Sequence, residues 1–178
     1  HDVGKVLFGL LKPETGEVLK DQKEPVKSAS WAVRHGIGYV SKNRDQESLM
    51  LISSIADNIC LPSLKDLTPF GPISDRKQKQ LAEKWSERME VKADSVKVFC
   101  NTLSGGNKQK VVLAKWLGKG SDIMILDCPT RGIDVGVKAA IYKLMDDYRK
   151  EGKSILMISE EMPELIGMSD RILIMKDG

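Results

Sequence analysis

The sequence has few cysteines and no long apolar run, and both absences limit what the chain can be. Its three cysteines, Cys60, Cys100 and Cys128, are odd in number and show neither C-x-x-C nor metal-ligand spacing, so reduced thiols in a cytosolic setting are expected. No apolar run approaches the length needed to cross a bilayer, and no signal-peptide pattern is present. Any connection to a membrane is therefore expected to go through a partner.

Aromatic residues are also scarce, at 5% of the chain, and the charge is nearly balanced. The 28 Lys and Arg residues against 25 Asp and Glu residues give a formal net charge of +3, and no basic stripe is interleaved with aromatic residues. A nucleic-acid partner is therefore not indicated. With 178 residues the chain can bury one sizeable core, so a single domain, or a domain with a small insert, is expected.

The second half of the chain alternates between strand and helix patterns. Continuous apolar runs predict strands at 123–126, 154–159 and 171–175, and an earlier run predicts another strand at 37–40. An amphipathic period over 137–148 predicts a helix between the first two of these later strands. This alternation implies a parallel sheet with helices on both faces and ligands at the carboxyl ends of the strands.

The first half of the chain is dominated by helix patterns separated by turns. Helical spacing of apolar residues covers 3–11, 55–61 and 75–91. A turn leads into a short strand predicted at 17–19, and 41–48 is expected to be a polar loop. The apolar stripe of 75–91 is interpreted as core packing.

One segment has the chemistry of a phosphate site, and at 103–110 it has the sequence LSGGNKQK. A serine followed by two glycines at a helix start leaves backbone N–H groups free at the positive end of the helix dipole. Asp127 stands at the end of a buried strand, where a phosphate-bound Mg²⁺ is usually held directly or through water. The two features together predict a nucleotide-phosphate site.

These segments, followed by PTRGIDVG at 129–136 and SEEMPE at 159–164, resemble the nucleotide-binding domain of ABC transporters over essentially the whole chain. The last two segments are similar to the second cassette of tandem sugar-importer ATPases of the ribose, galactose and xylose class. The resemblance implies an α/β, P-loop NTPase-like fold, with a mostly parallel sheet flanked by helices. It implies one nucleotide-binding domain, with 1–45 and 121–178 as the α/β core and about 46–120 as a helical subdomain carrying the signature motif.

The resemblance also implies ATP and Mg²⁺ as cofactors and assigns roles to particular residues. The residues assigned to nucleotide binding are Ser104, Gly105, Gly106, Gln109, Asp134 and Lys42. The first three would contact the γ-phosphate of an ATP held by a partner cassette. Asp127 would be the Walker B carboxylate that holds the metal, and Asp134 would be the D-loop residue at the interface between cassettes.

The chain departs from the family pattern at its start, because it contains no G-x-x-x-x-G-K-[ST] sequence. Alignment of 5–13 to the family places His1 near the final Ser/Thr of the phosphate loop. The chain is therefore expected to be cut at both ends, with a hairpin turn signal at 176–178 and no return strand. Alone, it is expected to bind ATP weakly or not at all and to be inactive.

Three further departures fall at positions that the family uses for hydrolysis. Cys128 stands where a glutamate orients the attacking water, and a thiol is a poor general base. Glu160 stands at the switch histidine position, as the resembling sugar-importer cassettes also show. Lys42 aligns with the Q-loop glutamine, and a cation cannot ligate a cation. No intact hydrolytic set is therefore expected on this chain.

Three functions stay open at this point. The first is an energy-coupling domain of a sugar-type ABC importer that lends its signature to an ATP shared with a partner cassette. The second is a non-transport ABC ATPase, although the glutamate, long inserts or basic arms of that class are not seen. The third is a decayed regulatory cassette without nucleotide turnover, which Cys128 favours and the intact signature opposes.

The first function implies partners and a location. The partners would be an N-terminal or partner cassette, transmembrane permease subunits and, indirectly, a periplasmic or extracellular sugar-binding protein, with the chain peripheral at the cytoplasmic face of the membrane. By the resemblance, the segment from 42 to about 71 receives the permease. Its apolar residues Leu49, Met50, Leu51 and Ile52 are either a docking surface or ordinary anchors in the core.

Overall fold

The computed structural model describes residues 1–68 and 72–176. The end of the predicted docking segment, at 69–71, and most of the predicted hairpin turn, at 177–178, lie outside the described residues. The strands are β1 (Leu19–Lys20), β2 (Glu24–Pro25), β3 (Ile37–Val40), β4 (Ile123–Asp127) and β5 (Ser154–Ile158). The α-helices are α1 (Asp2–Leu7), α2 (Ala29–Arg34), α3 (Ile55–Cys60), α4 (Leu64–Leu67), α5 (Asp75–Arg88), α6 (Gly105–Lys119), α7 (Val135–Lys150) and α8 (Met162–Met168).

A parallel three-stranded sheet in the order β3-β4-β5 forms the centre of the fold. Ile37 pairs with Ile123, and Asp127 at the end of β4 pairs with Ile158. Every residue of β3 is buried, whereas β5 is half-exposed. The parallel sheet predicted from the apolar runs is therefore confirmed for these three strands. It brings the residues after each strand to one edge, because parallel strands end on the same side.

Two expected elements are absent or shorter than the sequence pattern indicates. The strand predicted at 171–175 is wrong: no described residue pairs with it, and Leu173 and Ile174 are 76% and 78% exposed. Apolar content alone does not make a strand, because its backbone groups need a partner strand. The first helix ends at Leu7 because the chain turns at Gly9, where φ is +79° and a Cβ would lie 2.7 Å from the Ser28 carbonyl carbon.

Two smaller differences concern the loops of the first half. The short strand predicted at 17–19 overlaps the observed β1 (Leu19–Lys20) only at Leu19, and β1 pairs antiparallel with β2. The predicted polar loop 41–48 includes a π-helical turn at Arg44–Ser48. Among the described residues, no helix is long and apolar enough to span a bilayer.

The helices α3, α5 and α6 follow β3 and precede β4 along the chain, and they pack on one another. Each begins at a serine whose hydroxyl accepts a hydrogen bond from a backbone N–H of the first turn, an arrangement that stabilises helix starts. Ile55, Ile59 and Leu113 are fully buried between them. The predicted boundaries of a helical subdomain at about 46–120 stay a prediction.

A lysine is buried within this helical layer. Lys115 on α6 is 5% exposed, and its Nζ donates to the Ser48 carbonyl oxygen of the π-helical turn. Burial disfavours the ammonium form and lowers the pKa of Lys115 from 10.5 to about 8. The folded protein therefore releases this proton at a lower pH than the unfolded chain does.

Lys115→Met is expected to flatten the pH dependence of stability. Between the two pKa values the unfolded chain binds the proton and the folded chain does not, so the free energy of unfolding of the wild type rises with pH. From about pH 7.5 to about pH 9.5 this rise amounts to about 2 kcal/mol. Urea denaturation of both proteins at the two pH values measures it. Equal slopes in wild type and variant would contradict the burial effect.

Candidate functional site

The candidate site lies where the three parallel strands end. Lys42 follows β3, Asp127 ends β4 and Glu160 follows β5. Because the strands are parallel, these residues meet at one edge of the sheet, together with His1 at the start of α1. Three of the four are residues that the sequence associates with separate parts of a nucleotide site.

Asp127 is the buried carboxylate of the site, with 1% of its surface exposed. The Nδ1–H of His1 donates to its Oδ1 over 2.6 Å, and the Tyr39 hydroxyl donates to its Oδ2 over 3.4 Å. Burial raises the pKa of Asp127 above its usual value. Burial also raises the pKa of Tyr39, so this hydroxyl keeps its proton at neutral pH.

Lys42 and Glu160 form an ion pair over this site. The Lys42 Nζ lies 2.5 Å from the Glu160 Oε1 and 2.7 Å from the His1 Nε2. The Lys42 ammonium lowers the pKa of Glu160, which is therefore ionised at neutral pH. The sequence places Lys42 and Glu160 in different motifs, and the structure shows that they act on each other directly.

Cys128 follows Asp127 in a strained backbone conformation, with φ at 47°. Its N–H donates to the Ile158 carbonyl oxygen over 2.8 Å, which connects the end of β4 to β5. The side chain is half-buried, and burial raises the pKa of the Cys128 thiol. The thiol is therefore protonated at neutral pH and is a poor proton acceptor for water.

The predicted phosphate seat is the start of α6, a helix of 15 residues. Ser104 is exposed and caps the helix, with its Oγ accepting from the Asn107 N–H over 3.4 Å. Both glycines are closely approached by side chains: a Cβ on Gly105 would lie 3.0 Å from the Arg44 Nη2, and one on Gly106 would lie 3.2 Å from the Val137 Cγ2. The helix start is therefore open at Ser104 and tightly packed behind it.

Gln109 and Asp134, two of the predicted nucleotide-binding residues, differ in their exposure to solvent. Gln109 lies in α6 with 2% of its surface exposed, because it follows the helix start by a full turn and faces the packed side. It offers no side-chain group to an external nucleotide in this conformation. Asp134 is exposed and caps α7, and its Oδ1 accepts from the Val137 N–H over 3.0 Å.

Glu164 is a residue of this region whose burial the sequence does not reveal. It is 7% exposed, and three hydroxyl groups donate to its carboxylate. The donors are Thr130 at 2.5 Å, Ser159 at 2.5 Å and Tyr142 at 2.9 Å. Glu164 therefore connects the loop after β4, the loop after β5 and helix α7. In the sequence it resembles an ordinary acidic residue of a helix start, placed after Pro163.

The residues around Asp127 fit Mg²⁺ only in part. Magnesium prefers oxygen ligands in octahedral geometry and is usually held by one or two carboxylates together with phosphates and waters. Asp127 meets this preference. The Cys128 thiol, the Lys42 ammonium and the His1 imidazole at the same place do not.

Comparison with known proteins gives consistent matches. A family model described as ABC transporter matches residues 3–131. The "Ribose import ATP-binding protein RbsA" of Bacillus subtilis is 42% identical over 175 residues, which cover 98% of this chain and 36% of that protein. The protein of the same name from Lacticaseibacillus paracasei is 44% identical over 179 residues, covering 99% and 36%. The chain thus spans about a third of the length of these relatives.

Solved structures agree on the fold. The dimeric post-hydrolysis state of the ATP-binding cassette MJ0796, bound to ADP and Pi, matches with a TM-score of 0.76 and 22% identity over 91% of this chain and 70% of that one. The ADP conformation of MJ1267, an ATP-binding cassette of an ABC transporter, matches with a TM-score of 0.72 and 17% identity, covering 95% and 68%. The predicted α/β cassette fold is therefore confirmed.

Proposed function

The chain belongs to the ABC transporter family, and from this membership we propose that it is one of two ATP-binding cassettes that together energise a sugar importer. In this function the chain supplies the start of α6, at Ser104, to an ATP molecule held mainly by the partner cassette. The observation that carries the proposal is the contrast between two places on this chain. The helix start is open and intact, whereas the strand-end site holds Cys128 and the Lys42–Glu160 ion pair.

The contrast corresponds to two different chemical tasks. Ser104 and the amides of Gly105 and Gly106 stabilise phosphate charge without any proton transfer. Attack of water on a γ-phosphate needs a positioned proton acceptor, and the protonated Cys128 thiol does not provide one. The chain is therefore suited to complete an ATP site in trans and poorly suited to hydrolyse ATP at its own site.

The cofactors of this function are ATP and Mg²⁺. Asp127 is the residue of this chain that suits the metal, through one carboxylate oxygen, while phosphates and waters would supply the other ligands. The metal, where it is bound, neutralises phosphate charge. The buried position of Asp127 and its hydrogen bonds from His1 and Tyr39 fix the direction of its carboxylate.

The names and lengths of the relatives support the partners that we propose. The curated relatives are named as ribose import ATP-binding proteins, and this chain matches 36% of their length, which leaves room in them for a second cassette. We therefore propose a partner cassette, permease subunits and a sugar-binding protein as the assembly, with the chain at the cytoplasmic membrane face. The proposal is tested by comparing ATP turnover in two separate variants of the full-length protein, Ser104→Arg and Cys128→Ala.

A second candidate is a cassette that binds nucleotide without turnover and acts as a regulator. The observation in its favour is the protonated thiol at the position of the water-orienting glutamate. The two candidates differ in one measurable respect. In a regulator, blocking the helix start at Ser104 leaves ATP turnover by the assembly intact, whereas in the energising cassette it does not.

The proposed permease contact is narrower than the sequence indicates. Leu49 is 8% exposed and Leu51 is half-buried, so these two side chains anchor the segment in the core. Ile52 is 82% exposed and Met50 is 36% exposed. Of these four residues, Met50 and Ile52 are therefore the ones available to a permease.

Ile52→Asp is expected to lower sugar transport while leaving the fold intact, because it places a charge on an exposed apolar contact. Leu49→Asp is the matched control, since a charge at this buried position destabilises the domain by several kcal/mol. Transport into cells and thermal denaturation of the purified protein measure the two effects separately. Normal transport by the Ile52→Asp protein would show that this surface is not the contact.

A further inference from the structure

Three groups with different donor atoms converge at the ends of β4 and β5. The His1 imidazole, the Cys128 thiol and the Glu160 carboxylate each place one potential ligand atom within 4.8 Å of the other two. Donor atoms around a tetrahedral zinc ion are separated by about 3.3–3.8 Å, given its usual bond lengths. Side-chain movements of about 1 Å therefore bring these atoms to coordination distance.

The hydrogen bonds of His1 leave one ring nitrogen directed at this cluster. Its Nδ1–H donates to the buried Asp127 carboxylate over 2.6 Å, which fixes the tautomer and the orientation of the ring. In this tautomer the Nε2 is an acceptor: it accepts from the Lys42 Nζ over 2.7 Å, and the Glu160 Oε1 lies 2.9 Å away beside the same ammonium. A carboxylate that holds the second nitrogen of a histidine is the usual support of a metal-binding imidazole.

A cation already lies between two of the donors. The Lys42 Nζ is 2.7 Å from the His1 Nε2 and 2.5 Å from the Glu160 Oε1, so its ammonium bridges the two atoms that a metal ion would join. Asp127 and Glu160 are the anionic groups that face this position, and Arg131 is a further cation that acts on Glu160. A divalent ion binding here displaces Lys42.

The donor set selects the kind of metal. Nitrogen, sulfur and a single carboxylate suit Zn²⁺, whereas Mg²⁺ prefers oxygen alone. We propose that His1, Cys128 and Glu160 form a three-ligand Zn²⁺ site with an open fourth position, supported by Asp127 and in competition with Lys42. Binding replaces the thiol proton of Cys128 by the metal, and the proton passes to solvent. The three ligands are separate from the Asp127 carboxylate that we propose for Mg²⁺, and they lie beside it.

The test is metal binding by the full-length protein. Zn²⁺ affinity is measured by competition with a chromogenic chelator, and Co²⁺ is used as a spectroscopic probe. We expect one Zn²⁺ per chain and a thiolate-to-cobalt charge-transfer band. Cys128→Ser abolishes the band and weakens Zn²⁺ binding by at least about 100-fold, more than loss of a supporting group does.

Two variants separate the direct ligands from their neighbours. Asp127→Asn is expected to weaken Zn²⁺ binding by about 10- to 100-fold, the usual effect of losing a supporting carboxylate. Lys42→Met is expected to tighten binding, because the competing ammonium is removed. Glu160→Gln is expected to weaken it, and since this side chain is 65% exposed the substitution does not disturb folding.

The matched controls are residues outside the cluster. Cys60→Ala removes a buried thiol and is expected to keep the cobalt band, and Ser104→Arg is expected to keep Zn²⁺ affinity unchanged. Three results would overturn the proposal: no stoichiometric Zn²⁺ binding, a cobalt band that survives in Cys128→Ser, or weaker binding in Lys42→Met. Thermal denaturation of each variant shows whether it is folded. If Cys128→Ser is not folded, the Zn²⁺ affinity of Glu160→Gln is the deciding measurement, and an unchanged affinity would overturn the proposal.

Discussion

Ser104→Arg in the full-length protein is expected to abolish both ATP hydrolysis and sugar transport. Ser104 is exposed at the start of α6, and in the proposed function its hydroxyl and the following amides contact the γ-phosphate. The substitution removes the hydroxyl, and the larger arginine side chain occupies the space that the γ-phosphate needs. Loss of a single charge-stabilising donor costs about 10²–10³ in turnover, and blocking of the seat adds to this loss. Steady-state ATPase assays in membranes and uptake of radiolabelled sugar measure the two activities.

Cys128→Ala is the control for this experiment, and it is expected to change both activities little. The protonated thiol makes no contribution to water activation that alanine would remove. Cys128→Glu is expected to add at most a modest activity. If Cys128→Ala lowered turnover as much as Ser104→Arg, the division of labour between the two places would be wrong. If Ser104→Arg left turnover intact, the regulatory function would be favoured instead.

Glu164→Ala is expected to lower the free energy of unfolding by about 3 kcal/mol. The substitution removes the acceptor of three hydroxyl groups, those of Thr130, Ser159 and Tyr142, and leaves them within a largely buried site. Each such unpaired group costs about 1–3 kcal/mol, and rotation of the hydroxyls recovers part of the loss. For a chain of this size the melting temperature falls by about 6–12 °C. Urea and thermal denaturation measure both quantities.

Two variants control for the loss of charge and for surface effects. Glu164→Gln keeps a carbonyl oxygen as an acceptor. It is expected to lose about half as much stability as Glu164→Ala does. Glu161→Ala removes an exposed carboxylate that pairs with Lys138 at 3.1 Å, and it is expected to cost less than about 1 kcal/mol. A Glu164→Ala protein as stable as the Glu161→Ala protein would show that the three hydroxyl bonds contribute nothing.

The sequence predicted the elements whose information is local. The strands at 37–40, 123–126 and 154–159 match β3, β4 and β5 because each is a continuous apolar run, and a buried strand needs little else. Helices α5 and α7 were predicted within a few residues from their amphipathic period. The start of α6 was predicted from Ser104 and the two glycines, because capping and steric freedom depend on neighbouring residues.

The sequence did not decide features that depend on distant parts of the chain. The run 171–175 has strand composition but no pairing strand among the described residues, and composition carries no information on that partner. Leu49 and Ile52 have similar hydrophobicity, yet one is buried and the other exposed, because the local chain direction decides which side chain faces the core. Gln109 is buried for the same reason.

By itself, the sequence determined the family, the parallel sheet and the helix start at Ser104, since each depends on residues that are adjacent along the chain. Only the tertiary structure decided what surrounds Asp127. The cysteine spacing indicated no metal site, yet His1 and Glu160 are separated by 159 positions and lie 2.9 Å apart. Such a contact depends on the register of β3, β4 and β5, which aligns their carboxyl ends, and register is a property of paired strands rather than of any one segment.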